Sequence, residues 1–125
     1  MSKFGIIQGR LTQSPHGCLQ WFPQKEWKKE FINASKLGIN FIELIAEINH
    51  NSDNPIWTDD GIEQIKKTNN ANNIALYSLC NDYIIENSIH SENTIKQNID
   101  LLNQCNKLGI KKYIMPFFNK SEINN

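Results

Sequence analysis

The sequence predicts an α/β fold built on a parallel sheet: a partial β/α barrel of about four strands and three helices. Three observations predict it. Short β-branched runs alternate with longer stretches of helical periodicity, the pattern of βαβ units. A helix-stop-strand device occurs twice, as Lys36-Leu37-Gly38-Ile39 before Phe41-Ile42 and as Lys107-Leu108-Gly109-Ile110 before Tyr113-Ile114. Strand starts recur roughly every 35–38 residues, and eight such units would need somewhat under ~300 residues, within the range of a closed (β/α)8 barrel.

The first strand is expected near Lys3 to Gln8, beginning almost at the N-terminus. After it, Trp27, Phe31, Ala34 and Leu37 recur at three- and four-residue steps and form one apolar helix face. Gly38 supplies the left-handed stop. The second strand is expected over Asn40 to Ile45. A second helix starts at Thr58, a good N-cap, with Asp59 and Asp60 in the first turn, where the helix dipole favours negative charge. Ile62 and Ile65 face inward, and the helix fades into the run Asn69-Asn70-Ala71-Asn72-Asn73. The third strand falls near Ile74 to Leu79, and the third helix runs from about Ser91 to Leu108, with Ile95, Ile99 and Leu102 as its inward stripe and Gly109 as its stop. The fourth strand is expected over Lys112 to Phe117.

Composition bounds the function. The 125 residues are 39% hydrophobic, enough for one modest domain. Thirteen basic and thirteen acidic side chains are interspersed, so no basic footprint points to nucleic acid or to an anionic membrane surface. The longest apolar runs are four to five residues, against the roughly twenty of a membrane helix. The opening Met1-Ser2-Lys3-Phe4 has no signal-peptide character, which predicts a cytoplasmic chain. Cys18, Cys80 and Cys105 are odd in number and far apart, as reduced thiols are.

In parallel β/α architecture ligands bind at the carboxyl ends of the strands. Here the first strand exits through Gln8-Gly9-Arg10, the second carries Glu43 among apolar neighbours, the third exits through Cys80-Asn81-Asp82-Tyr83, and the fourth through Pro116-Phe117-Phe118-Asn119. Glu43 is the sharpest candidate, because a carboxylate in an apolar strand needs a partner: either a bound ligand or a cation on a neighbouring strand. Arg10 suits bidentate capture of phosphate or carboxylate, or is a solvated surface residue. Gln8 stands at a strand tip. Asp82 either orients a hydroxyl or caps a turn. Cys80 reads as buried filler. Glu47 and His50 have the i, i+3 spacing of some metal-binding helices, but the segment before Pro55 reads as loop. No nucleophile elbow, zincin motif or phosphate loop occurs.

Taken in order, Gly5-Ile6-Ile7-Gln8-Gly9-Arg10-Leu11, Gln20 with Phe22-Pro23, Trp27, Glu30-Phe31, Leu37-Gly38, Ile42-Glu43, Asn54-Pro55 with Gly61, Ser78-Leu79-Cys80-Asn81-Asp82-Tyr83 and Pro116-Phe117 resemble the opening half of sugar phosphate isomerase/epimerase proteins of the xylose isomerase-like TIM-barrel superfamily. Asn119, where similar proteins tend to carry aspartate, and Ile84-Ile85, where a bulkier aromatic is usual, depart from the pattern. The resemblance implies metal-dependent proton transfer next to the carbonyl of a ketose or ketose phosphate. It implies a sugar pocket shaped by Gln8, Arg10, Glu43, Asp82 and Asn119, with Trp21 or Tyr83 stacking on the sugar. It also implies a divalent cation, whose ligands in the family come from strands five to eight. No catalytic residue and no metal ligand is therefore assigned within residues 1–125, which are expected to be the N-terminal half of the barrel. Such a half exposes sheet edges and a sheet face, so it is expected to be a partial gene product, inactive alone and completed by self-association or by a missing C-terminal half. Two other functions stay open: a non-catalytic sugar-binding or scaffold half-barrel, and a relative of the metal-dependent abasic-site endonucleases of the same superfamily, which the charge balance disfavours.

Overall fold

Residues 2–123 are described by a computed structural model. They form a four-stranded, all-parallel sheet in the order β1-β2-β3-β4, with β1 at Gly5–Ile7, β2 at Phe41–Ala46, β3 at Ala75–Asn81 and β4 at Lys112–Ile114. Three helices, α1 (Trp27–Lys36), α2 (Asp59–Asn72) and α3 (Glu92–Leu108), make the crossovers. The α/β class and the count of four strands and three helices are those the sequence spacing predicts.

Sequential order in a parallel sheet, with crossovers of one hand, places all three helices on one face. The core lies there. Trp27, Phe31 and Ala34 of α1, Ile62 and Ile65 of α2, and Leu101 and Cys105 of α3 pack with Ile42 and Leu44 of β2 and Leu79 of β3. The other face is open. Phe41 and Tyr77 pack ring to ring there at 5.4 Å, and Tyr77 keeps 41% of its surface exposed. Gly5 makes room for the Phe41 ring, which fills the space a Cβ would need. The β2–β3 register shifts between Ile42 and Leu44, so Tyr77 and Ser78 together stand opposite Glu43.

Local chemistry explains the helix ends. The Thr58 side chain accepts the Gly61 N–H and caps α2, as expected. The asparagine run does not unwind this helix: α2 continues through Asn72, and Asn73 takes the left-handed position at its end, a conformation asparagine tolerates better than most residues. Ser91 caps α3 through the Thr94 N–H, and Gly109 ends it in the left-handed region.

Three expectations are corrected. The inward stripe of α3 consists of Thr94, Leu101, Gln104 and Cys105, whereas Ile95, Ile99 and Leu102 are 46%, 53% and 48% exposed. Both stripes have helical spacing, and hydrophobicity alone chose the wrong one. The buried stripe wins because it meets polar partners as well: Thr94 bonds Ser91, and the neighbouring Asn98 bonds Tyr113 of β4. Leu37 is exposed beyond the last turn of α1 rather than part of its apolar face. Finally, β4 stops at Ile114, and Phe117 and Phe118 are exposed in the segment after it.

Candidate functional site

The carboxyl ends of the strands are built by a polar framework that starts at β1. Beyond Ile7, Gln8 carries the β1–β2 ladder one residue further: its N–H donates to the Glu43 carbonyl, and its Oε1 accepts the Ile45 N–H at 3.2 Å. The chain then turns at Gly9, whose φ of +90° lies in the region glycine favours. Glu30 on α1, wholly buried, accepts hydrogen bonds from Gly9 N–H (2.8 Å), Leu11 N–H (3.0 Å) and the Thr12 hydroxyl (2.7 Å). Asn33, one turn on, donates to the Leu11 carbonyl. The Trp21 indole N–H donates to the Gly9 carbonyl at 2.7 Å, which folds the long β1–α1 loop back over the strand end.

The exit of β2 is held in a similar way. Asn54 donates from Nδ2 to the Ile45 carbonyl and to Glu47 Oε1, while its Oδ1 accepts the Ile56 N–H. Asn51 donates to Glu47 and to Gln24, and Gln24 donates to Asp53, so the loops after β1 and β2 are tied together. At the exit of β3, Asp82 opens a 3-10 turn, Asp82–Ile85, and is only 3% exposed. Its Oδ1 accepts the Cys80 thiol at 3.2 Å.

These three exits line an open cavity of about 370 Å³, with Gln20, Trp21, Phe22 and Gln24 from the first loop, Ile45, Glu47, Ile48, Asn49 and Asn51 from the second, and Asp82 from the third. Its charged groups are two carboxylates. Burial pushes the Glu47 carboxyl above its usual range, against the hydrogen bonds of Asn51 and Asn54. Burial also raises Asp82, and the negative charge of Glu43 adds to the effect, while the Cys80 hydrogen bond opposes it. Cys80 is itself pushed far above the usual thiol range, first by burial and then by Asp82 and Glu43, so it is a neutral packing group and not a nucleophile.

The other predicted residues fall in different places. Glu43 lies on the open face of the sheet, and among the described residues its partner is the Ser78 hydroxyl on β3 rather than a cation. Arg10 is exposed and makes no ion pair among the described residues. Tyr83 is buried, with its hydroxyl accepting from Asn93, and does not line the cavity. Asn119 is exposed, takes a left-handed backbone conformation and donates to Glu86. Of the seven candidates, the cavity brings together Trp21 and Asp82, and Gln8 braces its floor through Ile45.

Glu30 and Glu47 have roles that the sequence reading does not assign them: Glu30 figures there only within the family resemblance, and Glu47 only beside His50. Glu30 sits between Trp27 and Ala34 on the apolar stripe of α1, the same signal that singled out Glu43 in its strand. Glu47 carries no such signal, because its burial comes from loop residues that fold over it.

A larger groove, about 710 Å³, lies at the amino ends of the strands between Lys3, Asn40, Phe41, Asn73 and Tyr77. It gathers no carboxylates and sits at the end of the sheet that this architecture devotes to stability. Among the described residues no group of three or more His, Cys, Asp or Glu side chains is placed to hold a metal ion. Glu47 and Asp82 alone are too few ligands for the divalent cation that the family resemblance implies. No helix among the described residues is long and apolar enough to cross a membrane. No family model and no curated protein matches the chain.

Proposed function

We propose that this chain is the substrate-shaping half of a barrel of the sugar phosphate isomerase/epimerase kind, and that its carboxyl-end cavity holds a ketose or ketose phosphate. The observation that carries the reading is the convergence of three successive strand exits on one cavity with an aromatic wall at Trp21 and hydrogen-bonding groups at Glu47, Asn51 and Asp82. A sugar needs both elements: an apolar ring face to cover its C–H surface, and acceptors for its hydroxyls. Proton transfer next to the carbonyl then needs a divalent cation and further carboxylates, which strands added beyond β1 and β4 would supply. In this division of labour the present half binds and orients, and it does not turn over substrate by itself.

A second reading, a non-catalytic sugar-binding or scaffold half-barrel, is favoured by the two sheet edges, β1 and β4, which are unpaired among the described residues and which a second copy could pair. Ligand titration combined with solvent-exchange measurements tests the proposal. The purified chain should show saturable quenching of tryptophan fluorescence by a ketose such as fructose or tagatose, lost in Trp21→Ala. Monomeric chain with added Mg²⁺ or Mn²⁺ should show no deuterium uptake next to the ketose carbonyl. Absence of ketose binding overturns the reading. Exchange catalysed by the monomer overturns the division of labour.

A further inference from the structure

The resemblance leaves open whether the sugar carries a phosphate, and the charge distribution of the cavity bears on this. Its lining contains two carboxylates, Glu47 and Asp82, and no lysine, arginine or histidine. Glu43 adds a third negative charge near enough to raise Asp82. The chain's single arginine, Arg10, is exposed and lies outside the lining. Asp82 is the more telling group. It is nearly sealed, its hydrogen-bond partner among the described residues is the weak Cys80 thiol on Oδ1, and it borders the cavity. A buried carboxylate with so little protein compensation gains most from a hydroxyl donor brought by a ligand. It loses most from a second anion. The lining otherwise offers the amides of Gln20 and Asn49, which can donate to and accept from hydroxyls, the Trp21 ring and the apolar Phe22, Ile45 and Ile48, while the amides of Gln24 and Asn51 are engaged with each other, with Glu47 and with Asp53.

From this we infer that the cavity selects a neutral, polyhydroxylated carbon chain and rejects its phosphorylated counterpart, with Glu47 and Asp82 as the specificity-determining pair. The inference rests on the sugar-binding reading of the same cavity and deepens it. Two carboxylates lining one cavity, with no cationic side chain in the lining beside them, disfavour a bound phosphate dianion by at least about tenfold in affinity even at the high effective dielectric of a protein surface.

The test is a fluorescence titration of the full chain with fructose, fructose 1-phosphate, fructose 6-phosphate and inorganic phosphate, repeated on Glu47→Gln/Asp82→Asn and on Glu47→Gln alone, with circular dichroism to establish that each variant is folded. Fructose should bind at least about tenfold more tightly than either phosphate ester, and inorganic phosphate should not displace it. Neutralising the pair should narrow that ratio, the single variant doing so partway. Phosphate esters binding as well as fructose overturn the inference and leave the sugar-binding reading intact. A ratio unchanged in both variants also overturns it, because the selectivity then has another cause. Binding of none of the four overturns both.

Discussion

Glu30 and Gly9 are joined by a 2.8 Å hydrogen bond from the Gly9 N–H to a carboxylate that is wholly buried in α1. The same carboxylate takes the Leu11 N–H and the Thr12 hydroxyl, so one side chain satisfies the backbone donors of the turn that leaves β1. Replacing it by alanine strands two buried or half-buried N–H groups. Glu30→Ala should cost about 3–5 kcal/mol in urea unfolding. Glu30→Gln keeps the shape but puts an amide N–H where an acceptor is needed, and should fall between wild type and alanine. Equal stability of all three proteins would remove Glu30 from the account.

Gly9 is constrained from a second side. A Cβ there would lie 2.3 Å from the Trp21 carbonyl oxygen, a backbone atom that cannot swing away, and φ is already +90°. Gly9→Ala should cost about 2–4 kcal/mol and shift the Trp21 emission. Gly17 has a positive φ of +77° but open space where its Cβ would go, so Gly17→Ala should cost only about 1 kcal/mol. The difference between the two variants in parallel denaturant melts measures the Trp21 contact.

The two stripes of α3 give a direct comparison of packing with hydrophobicity. Leu101 is fully buried, and Leu101→Ala should cost about 2–5 kcal/mol. Ile99, 53% exposed, should tolerate Ile99→Glu within about 0.5 kcal/mol in the monomer. Reversed magnitudes would restore the stripe that the sequence alone suggests.

Asp82 predicts a pH dependence. Its folded-state pKa is raised above the ordinary aspartate value of 3.8, mainly by burial. The protonated form is therefore the one that suits the fold. The contribution of Asp82 to stability is fully present below its unfolded pKa and is lost as pH rises through the raised folded value. Asp82→Asn keeps an acceptor for the Cys80 thiol without the charge. Thermal melts should show the variant more stable than wild type at pH 7, with the gap closing toward pH 4. Glu47→Gln should behave in the same direction, since burial raises Glu47 as well. A gap that widens on acidification would contradict the assignment.

Much of the fold was legible in the sequence because its punctuation is local. Thr58, Gly38 and Gly109 act through their own backbone neighbourhood, and each ends or starts a helix where expected. The face of α3 was not legible, since Ile95-Ile99-Leu102 and Thr94-Leu101-Cys105 are both regular, and only the position of β4 and Tyr113 decides between them. The site divides along the same line. Asp82 follows directly on β3 and was found from strand exits alone. Trp21 was flagged by resemblance, and its place over Gly9 depends on a hydrogen bond across a long loop. Glu47 entered the sequence reading only as a partner for His50, whereas in the fold His50 lies on the Trp57 ring and Glu47 turns to Asn51 and Asn54.

The proposed ligand site lies at the carboxyl ends of the strands, between Trp21, Glu47 and Asp82. Amide and indole chemical-shift mapping of the ¹⁵N-labelled chain during a fructose titration locates the ligand residue by residue. Saturable shifts are expected at the Trp21 indole, Gly9, Glu47 and Asp82, with the groove around Lys3, Asn40 and Asn73 silent. Shifts confined to that amino-end groove, or none at any residue up to saturating sugar, would contradict this placement of the site.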